Sequence, residues 1–166
     1  MKIIRDLLPI LAALIDANFQ SYGDDAIHED TYENREPQIP IKQFKDDGMY
    51  VLAGDKSTFK TSLLIELTLE AALKNEMPAI IFSQKNSMIE VAYRLLARAA
   101  NLPLEKLKAG RLAEEDWKLL TDGLELLVDA NIYIDDYPLD EVAIIQNISL
   151  VKLIHNRVGI ILFDEI

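Results

Sequence analysis

Four short runs of apolar residues, separated by segments with helical spacing, constrain the architecture of this chain more than any other feature. They are "MYVLA" (49–53), "PAIIFS" (78–83), "NIYID" (131–135) and "GIILFD" (159–164). None alternates between apolar and polar residues. A strand that is apolar on both faces is buried on both faces, the condition of a parallel sheet between two helical layers. The intervening segments carry the helical period. "KTSLLIELTLEAALKN" (60–75) repeats Leu63, Leu64, Leu67 and Ala71 along one side. Ser87 and Glu90 are spaced as a capping box opening "MIEVAYRLLARAA". "EEDWKLLTDGLELLVDA" (114–130) and "LDEVAIIQNISLVKLIHN" (139–156) complete the alternation. The pattern predicts an α/β fold with right-handed crossovers and a mostly parallel sheet. In such a sheet ligands sit beyond the carboxyl ends of the strands. Those ends are Gly54, Ser83, Asp135 and Asp164.

The flanking N-terminal region lacks this alternation. "MKIIRDLLPILAALIDANF" (1–19) has the spacing of an amphipathic helix, with Pro9 near a start or kink. Asp6 interrupts its basic end, and no small-residue cleavage site follows. Asp16 closes the apolar run short of the roughly 20 residues that a membrane span needs. No membrane partner is therefore expected. The apolar side of this helix must dock, either on its own domain or on a neighbouring subunit. Residues 20–47 are acidic, carry Pro37 and Pro40 and keep no period, which predicts a linker or long surface loop. The expected domain spans 48–166.

Composition narrows the chemistry. With 166 residues, half of them hydrophobic, the chain suits one domain with a substantial core. A net charge of −11 argues against a broad basic surface that binds phosphate backbones unaided. There is no cysteine, which removes disulfides, thiolate metal sites and cysteine nucleophiles and agrees with a reducing cytoplasm. His28 and His155 lie far apart, outside any ligand-spaced cluster.

The chemical signal follows the first apolar run. "GDKSTFKTS", Gly54 to Ser62, fits the phosphate-loop pattern G-x-x-x-x-G-K-[ST] except for Phe59, where the pattern has glycine. Gly54, Asp55, Lys56, Ser57, Thr58, Phe59, Lys60, Thr61 and Ser62 are thus the expected nucleotide-binding residues. Backbone N–H groups and a helix N-terminus would meet the phosphates, and Lys60 would reach the terminal ones. Thr61 would offer its hydroxyl to Mg²⁺. "GIILFDE" supplies the matching acidic strand end, where Asp164 would hold the same ion through water. The expected ligands are ATP and Mg²⁺. Phe59 is tolerated if its φ is negative and its ring points away. At positive φ a bulky residue costs roughly 1–2 kcal/mol.

From about Gly48 to Glu165 the chain resembles the RecA-like motor domain of DnaB-type replicative DNA helicases. "VLAGDKSTFKTS", "IFSQKNS", "YRLLARAANLPLEKLKAGRLAEEDWKLL", "IYIDDYP" and "IILFDE" follow the family's order of motifs. The stretch from 91 to 138 is the most specific, since neither the fold nor ATP binding requires "RLLA" and "DW". The resemblance implies a three-layer RecA-like sandwich and a hexameric, ATP-driven motor on single-stranded DNA. It also implies an N-terminal linker helix that docks on the adjacent subunit. Lys85 stands where the family has a glutamate that polarises the attacking water, and a protonated lysine cannot act as that base. Glu165 is the substitute candidate for catalysis. The family's remaining strands, DNA-binding loops and arginine finger correspond to nothing up to Ile166, so DNA binding would need the other half. A second reading is a non-catalytic helicase-like adaptor or inhibitor that binds a replicative helicase or its loader. A small-molecule kinase would account for the phosphate loop but not for "RLLARAA" and "DW".

The remaining polar and aromatic residues have plain structural readings. Asp135 and Asp136 are adjacent, so on a strand they face opposite sides and only one could point at the nucleotide; turn or cap chemistry before Pro138 is the plainer expectation. Trp117 shares a helical face with Leu120 and Leu124 and is expected to pack. Arg94, Arg98, Lys106, Lys108 and Arg111 form the local basic enrichment, expected on a solvated helix face or against a neighbour or DNA. Ser83 and Ser87 have no nearby histidine to serve as a base.

Overall fold

The computed structural model describes residues 1–22, 49, 51, 58–138 and 140–164; of Tyr22, Thr58 and Phe59 it describes the backbone alone. The elements are β1 (Lys2–Ile3), α1 (Ile4–Tyr22), α2 (Thr58–Leu69), β2 (Ala79–Ser83), α3 (Met88–Ala99), α4 (Leu104–Ala109), α5 (Glu114–Val128), β3 (Ile132–Asp135), α6 (Glu141–His155) and β4 (Ile160–Asp164). A single π-helical turn, Glu70–Lys74, extends α2.

The sheet runs in the order β1-β3-β2-β4. β2 pairs in parallel with both β3 and β4, and the short β1 lies antiparallel to β3. From β2 the chain reaches β3 through α3, α4 and α5. From β3 it returns past β2 to β4 through α6. Because the two crossovers run in opposite directions, right-handedness puts them on opposite faces of the sheet. The packing agrees. Ile81, Ile132 and Ile134 join the core built with α1, α2, α3 and α5. Their strand neighbours Ile80, Phe82 and Tyr133 face the other way, onto Val151, Ile144 and Ile148 of α6. The expected α/β arrangement of helix, mostly parallel sheet and helix is therefore present.

Helix α1 belongs to the same core. Ile4, Leu7, Leu8, Leu11 and Ile15 form one stripe, all buried. The stripe packs against α3, α4 and α5. Asn18 Nδ2 donates to the carbonyl of Lys108 at 2.7 Å, and the Phe19 ring meets Trp117 edge-on at 5.2 Å. In the structure this helix docks on its own domain, where the whole stripe is buried. Pro9 sits inside the helix without ending it. It removes one N–H, the donor that would have met the carbonyl of Arg5.

Several local details differ from the sequence expectation. Met49 and Val51 are 92% and 82% exposed, so these two residues of the expected buried strand are not in the sheet. Tyr50, Leu52 and Ala53 lie outside the described residues. β1 and α4 are additions. α4 follows Pro103 and ends at Gly110, whose φ is 69°, the usual proline-to-glycine order along a helix. Ser87 caps α3 by accepting from the N–H of Glu90. Glu90, however, turns its carboxylate to Arg94 (3.0 Å) and Lys108 (2.5 Å).

Candidate nucleotide site

β2 and β4 end side by side, with Ser83 in register with Asp164. The first turns of α2 meet them there. The Thr61 hydroxyl donates to Asp164 Oδ1 at 3.3 Å, and Asn86 Nδ2 donates to Oδ2 at 2.7 Å. The N–H of Asn86 donates to Ser83 Oγ at 3.1 Å, and the N–H of Gln84 donates to the Asp164 carbonyl at 3.3 Å. Thr61, Ser83 and Asp164 are all buried. A buried carboxylate is costly unless its oxygens are hydrogen-bonded, and here each has a donor.

Phe59 lies in the first turn of α2. Among the described residues, positive φ at a non-glycine residue is confined to Glu76, Asn101 and Asn156. The backbone at Phe59 is therefore right-handed helical, and the strained alternative does not arise. Lys60 is half-buried in the same turn, while Ser62 and Lys85 are exposed. Gly54, Asp55, Lys56, Ser57 and Glu165 lie outside the described residues.

The donor set suits Mg²⁺. The Thr61 hydroxyl and the Asp164 carboxylate are hard oxygen donors, and Mg²⁺ is commonly held by one or two carboxylates together with substrate phosphates. No cluster of three or more His, Cys, Asp or Glu among the described residues could hold a metal by itself.

The other polar groups serve the fold. Asp136 Oδ2 accepts from the N–H of Met88 at 2.9 Å, capping the start of α3. Asp135 accepts from the N–H of Tyr137 at 3.2 Å and from Asn147 Nδ2 at 2.5 Å. Turn and cap chemistry was the expectation, although Asp136 caps α3 rather than the following helix, whose cap is Asp140. The basic enrichment is largely neutralised within the chain. Arg98 meets Glu66 at 2.6 Å and Lys106 meets Asp116 at 2.5 Å, beside the two pairs on Glu90. Asp116 also accepts from the N–H of Ala113 at 2.7 Å, so the aspartate of "DW" fastens α5 to α4. Tyr133 Oη lies 2.7 Å from His155 Nε2. Burial raises the Tyr133 pKa above the usual phenol value, with Arg5 acting in the opposite sense. Sequence reasoning missed Asn86, since an asparagine just past a strand has the signature of an ordinary turn residue.

Residues 40–166 match the family model described as DnaB-like helicase C terminal domain. The chain is 28% identical over 117 residues to a probable replicative DNA helicase of Guillardia theta, covering 70% of this chain and 20% of that relative. Over 95 residues it is 32% identical to the replicative DNA helicase DnaB of Geobacillus stearothermophilus, covering 57% of this chain and 21% of the relative. The chain thus spans about a fifth of the length of these relatives. A solved structure reported as that of a DnaB-like replicative helicase and its interactions with primase superposes with a TM-score of 0.54 at 23% identity. That superposition covers 63% of this chain and 26% of the other, and it supports the fold. No helix among the described residues is long and apolar enough to cross a membrane.

Proposed function

The chain belongs to the DnaB-like helicase C-terminal domain family, and from that premise we propose that it is an ATP-binding module of a replicative DNA helicase. The observation that carries this reading is the hydrogen bond between Thr61 and Asp164, 103 residues apart in sequence. It joins the phosphate-loop helix to the acidic strand end, the pair that a Mg²⁺–nucleotide requires. Lys60 would neutralise the terminal phosphates, and the N–H groups of Gly54–Ser62 would cradle them. Thr61 and Asp164 would hold Mg²⁺. Held there, the ion would supply positive charge that offsets the charge of the phosphates. Glu165 would orient the attacking water. The module would act in the cytoplasm with further copies of itself, as a hexamer, and would grip single-stranded DNA only with the rest of the helicase present.

Binding of a fluorescent ATP analogue, with and without Mg²⁺, tests the site. Saturable, Mg²⁺-dependent binding is expected in the wild type. Lys60→Ala should weaken it about 10- to 100-fold, the value of a hydrogen bond to a charged group. Equal affinity in the two proteins would remove Lys60 and its loop from the site.

Lys85 favours a second reading, a helicase-like adaptor that binds nucleotide without hydrolysing it. This lysine is exposed in the turn after β2, where the resemblance calls for a glutamate. On this reading the protein co-purifies with a replicative helicase or its loader. Lys85→Glu would then restore no hydrolysis, and multiple turnover by the wild type would exclude the adaptor.

A further inference from the structure

We propose that Asn86 is a positioning residue for the metal side of this site, fixing the Asp164 carboxylate in the orientation that receives a hydrated Mg²⁺. The inference rests on the nucleotide-site reading and adds a residue to it. A carboxylate can only accept, so the amide nitrogen of Asn86 is the group that faces Asp164 Oδ2, at 2.7 Å. On the other side the Thr61 hydroxyl donates to Oδ1 at 3.3 Å. The Asn86 contact is the shorter of the two, and hydrogen bonds to an ionised acceptor are the stronger class. Two donors on different oxygens hold the carboxylate plane from both ends. Each oxygen keeps lone pairs for water, as a carboxylate can accept about four bonds.

Asn86 is itself held. Its N–H is anchored on Ser83 Oγ at 3.1 Å, and Ser83 is 1% exposed. The next two residues are tied down as well. Ser87 Oγ accepts from the N–H of Glu90, and the N–H of Met88 donates to Asp136. The amide is thus presented from a fixed turn rather than a free loop. It links the end of β2 to the end of β4 independently of the phosphate-loop helix. The amide thereby ends on the same buried carboxylate that accepts from Thr61.

The test is a MgCl₂ titration of fluorescent ATP-analogue binding by wild type, Asn86→Leu and Asn86→Gln. Leucine keeps the branched shape and removes the donor, while glutamine keeps an amide. Asn86→Leu is expected to raise the Mg²⁺ concentration at half-maximal binding about ten-fold, the loss of one hydrogen bond to a charged group. Binding without Mg²⁺ should be unchanged, and Asn86→Gln should recover part of the shift. Circular dichroism checks that each variant is folded. If the leucine variant is not, Asn86→Ala takes its place with the same expected shift. A Mg²⁺ midpoint equal to wild type in a folded donor-less variant overturns the role of Asn86 and leaves the nucleotide site standing. Wild type that binds the analogue without regard to Mg²⁺, or not at all, overturns both.

Discussion

A chain lacking residues 1–19 is expected not to fold. The deletion removes Ile4, Leu7, Leu8, Leu11 and Ile15, each at most 4% exposed. At about 2 kcal/mol for each fully buried aliphatic side chain, the loss is about 10 kcal/mol. Domain stabilities are about 5–15 kcal/mol in total, so the truncated chain keeps too little. It also exposes the apolar faces of α3 and α5 that the stripe covers, which promotes aggregation. Far-UV circular dichroism and a urea melt of the soluble fraction measure this. The single substitution Leu11→Ala gives a graded version, with an expected loss of about 2–5 kcal/mol and a lower urea midpoint. A cooperative, native-like melt from the truncated protein would contradict the described docking of α1. It would favour docking on a neighbouring molecule. The result also governs partner assays, since an unfolded truncation loses every partner and identifies no contact.

Runs 78–83, 131–135 and 159–164 all enter the parallel sheet, as their apolar residues predict. The first two are buried throughout, but β4 is last in the strand order and leaves Ile161 and Phe163 36% and 39% exposed, so its expected burial on both faces is not met among the described residues. The approach of Thr61 to Asp164 agrees with the expectation from the two motifs, in which both residues would serve the same ion. β1 was hidden. Lys2 and Ile3 precede a strong helical stripe, and two residues carry no period of their own. α4 was hidden by its shortness, although Pro103 and Gly110 mark its ends. Within the basic enrichment, Arg94 has a partner readable along the chain, Glu90 at i,i+4 spacing. Glu66, Glu90 and Asp116 approach Arg98, Lys108 and Lys106 only after four helices have packed. Asn86 belongs to the same class, because its partner lies 78 residues away and no local pattern names it.

Gly110→Ala is expected to destabilise the protein by about 3 kcal/mol, combining a left-handed backbone penalty of about 1–2 kcal/mol with a close-packing penalty of similar size. Gly110 has φ +69°, which an L side chain rarely adopts. A Cβ placed there would lie 2.4 Å from the backbone nitrogen of Phe19 and 2.7 Å from the carbonyl carbon of Asn18. Both are backbone atoms of α1, so no side chain can rotate away. Either α1 lifts from α4 or the turn after α4 unwinds. Lifting would strain the Asn18 bond to the Lys108 carbonyl and the contact between Phe19 and Trp117. Unwinding would break the bonds from Gly110 N–H to Leu107 and from Arg111 N–H to Lys106, at 3.2 and 3.1 Å. For a chain of this size about 3 kcal/mol corresponds to a fall in Tm of roughly 6–12 °C. Gly123→Ala supplies a comparison. Its φ is ordinary, but a Cβ there would meet Ala100 at 2.7–2.8 Å, so it carries the packing penalty alone and should fall less. A Gly110→Ala Tm within a degree of wild type would mean that α1 and α4 are not held as closely as described. If α1 is fastened to its own domain at this glycine, the two glycine variants should differ in Tm, while both keep Mg²⁺-dependent nucleotide binding at temperatures where they are folded.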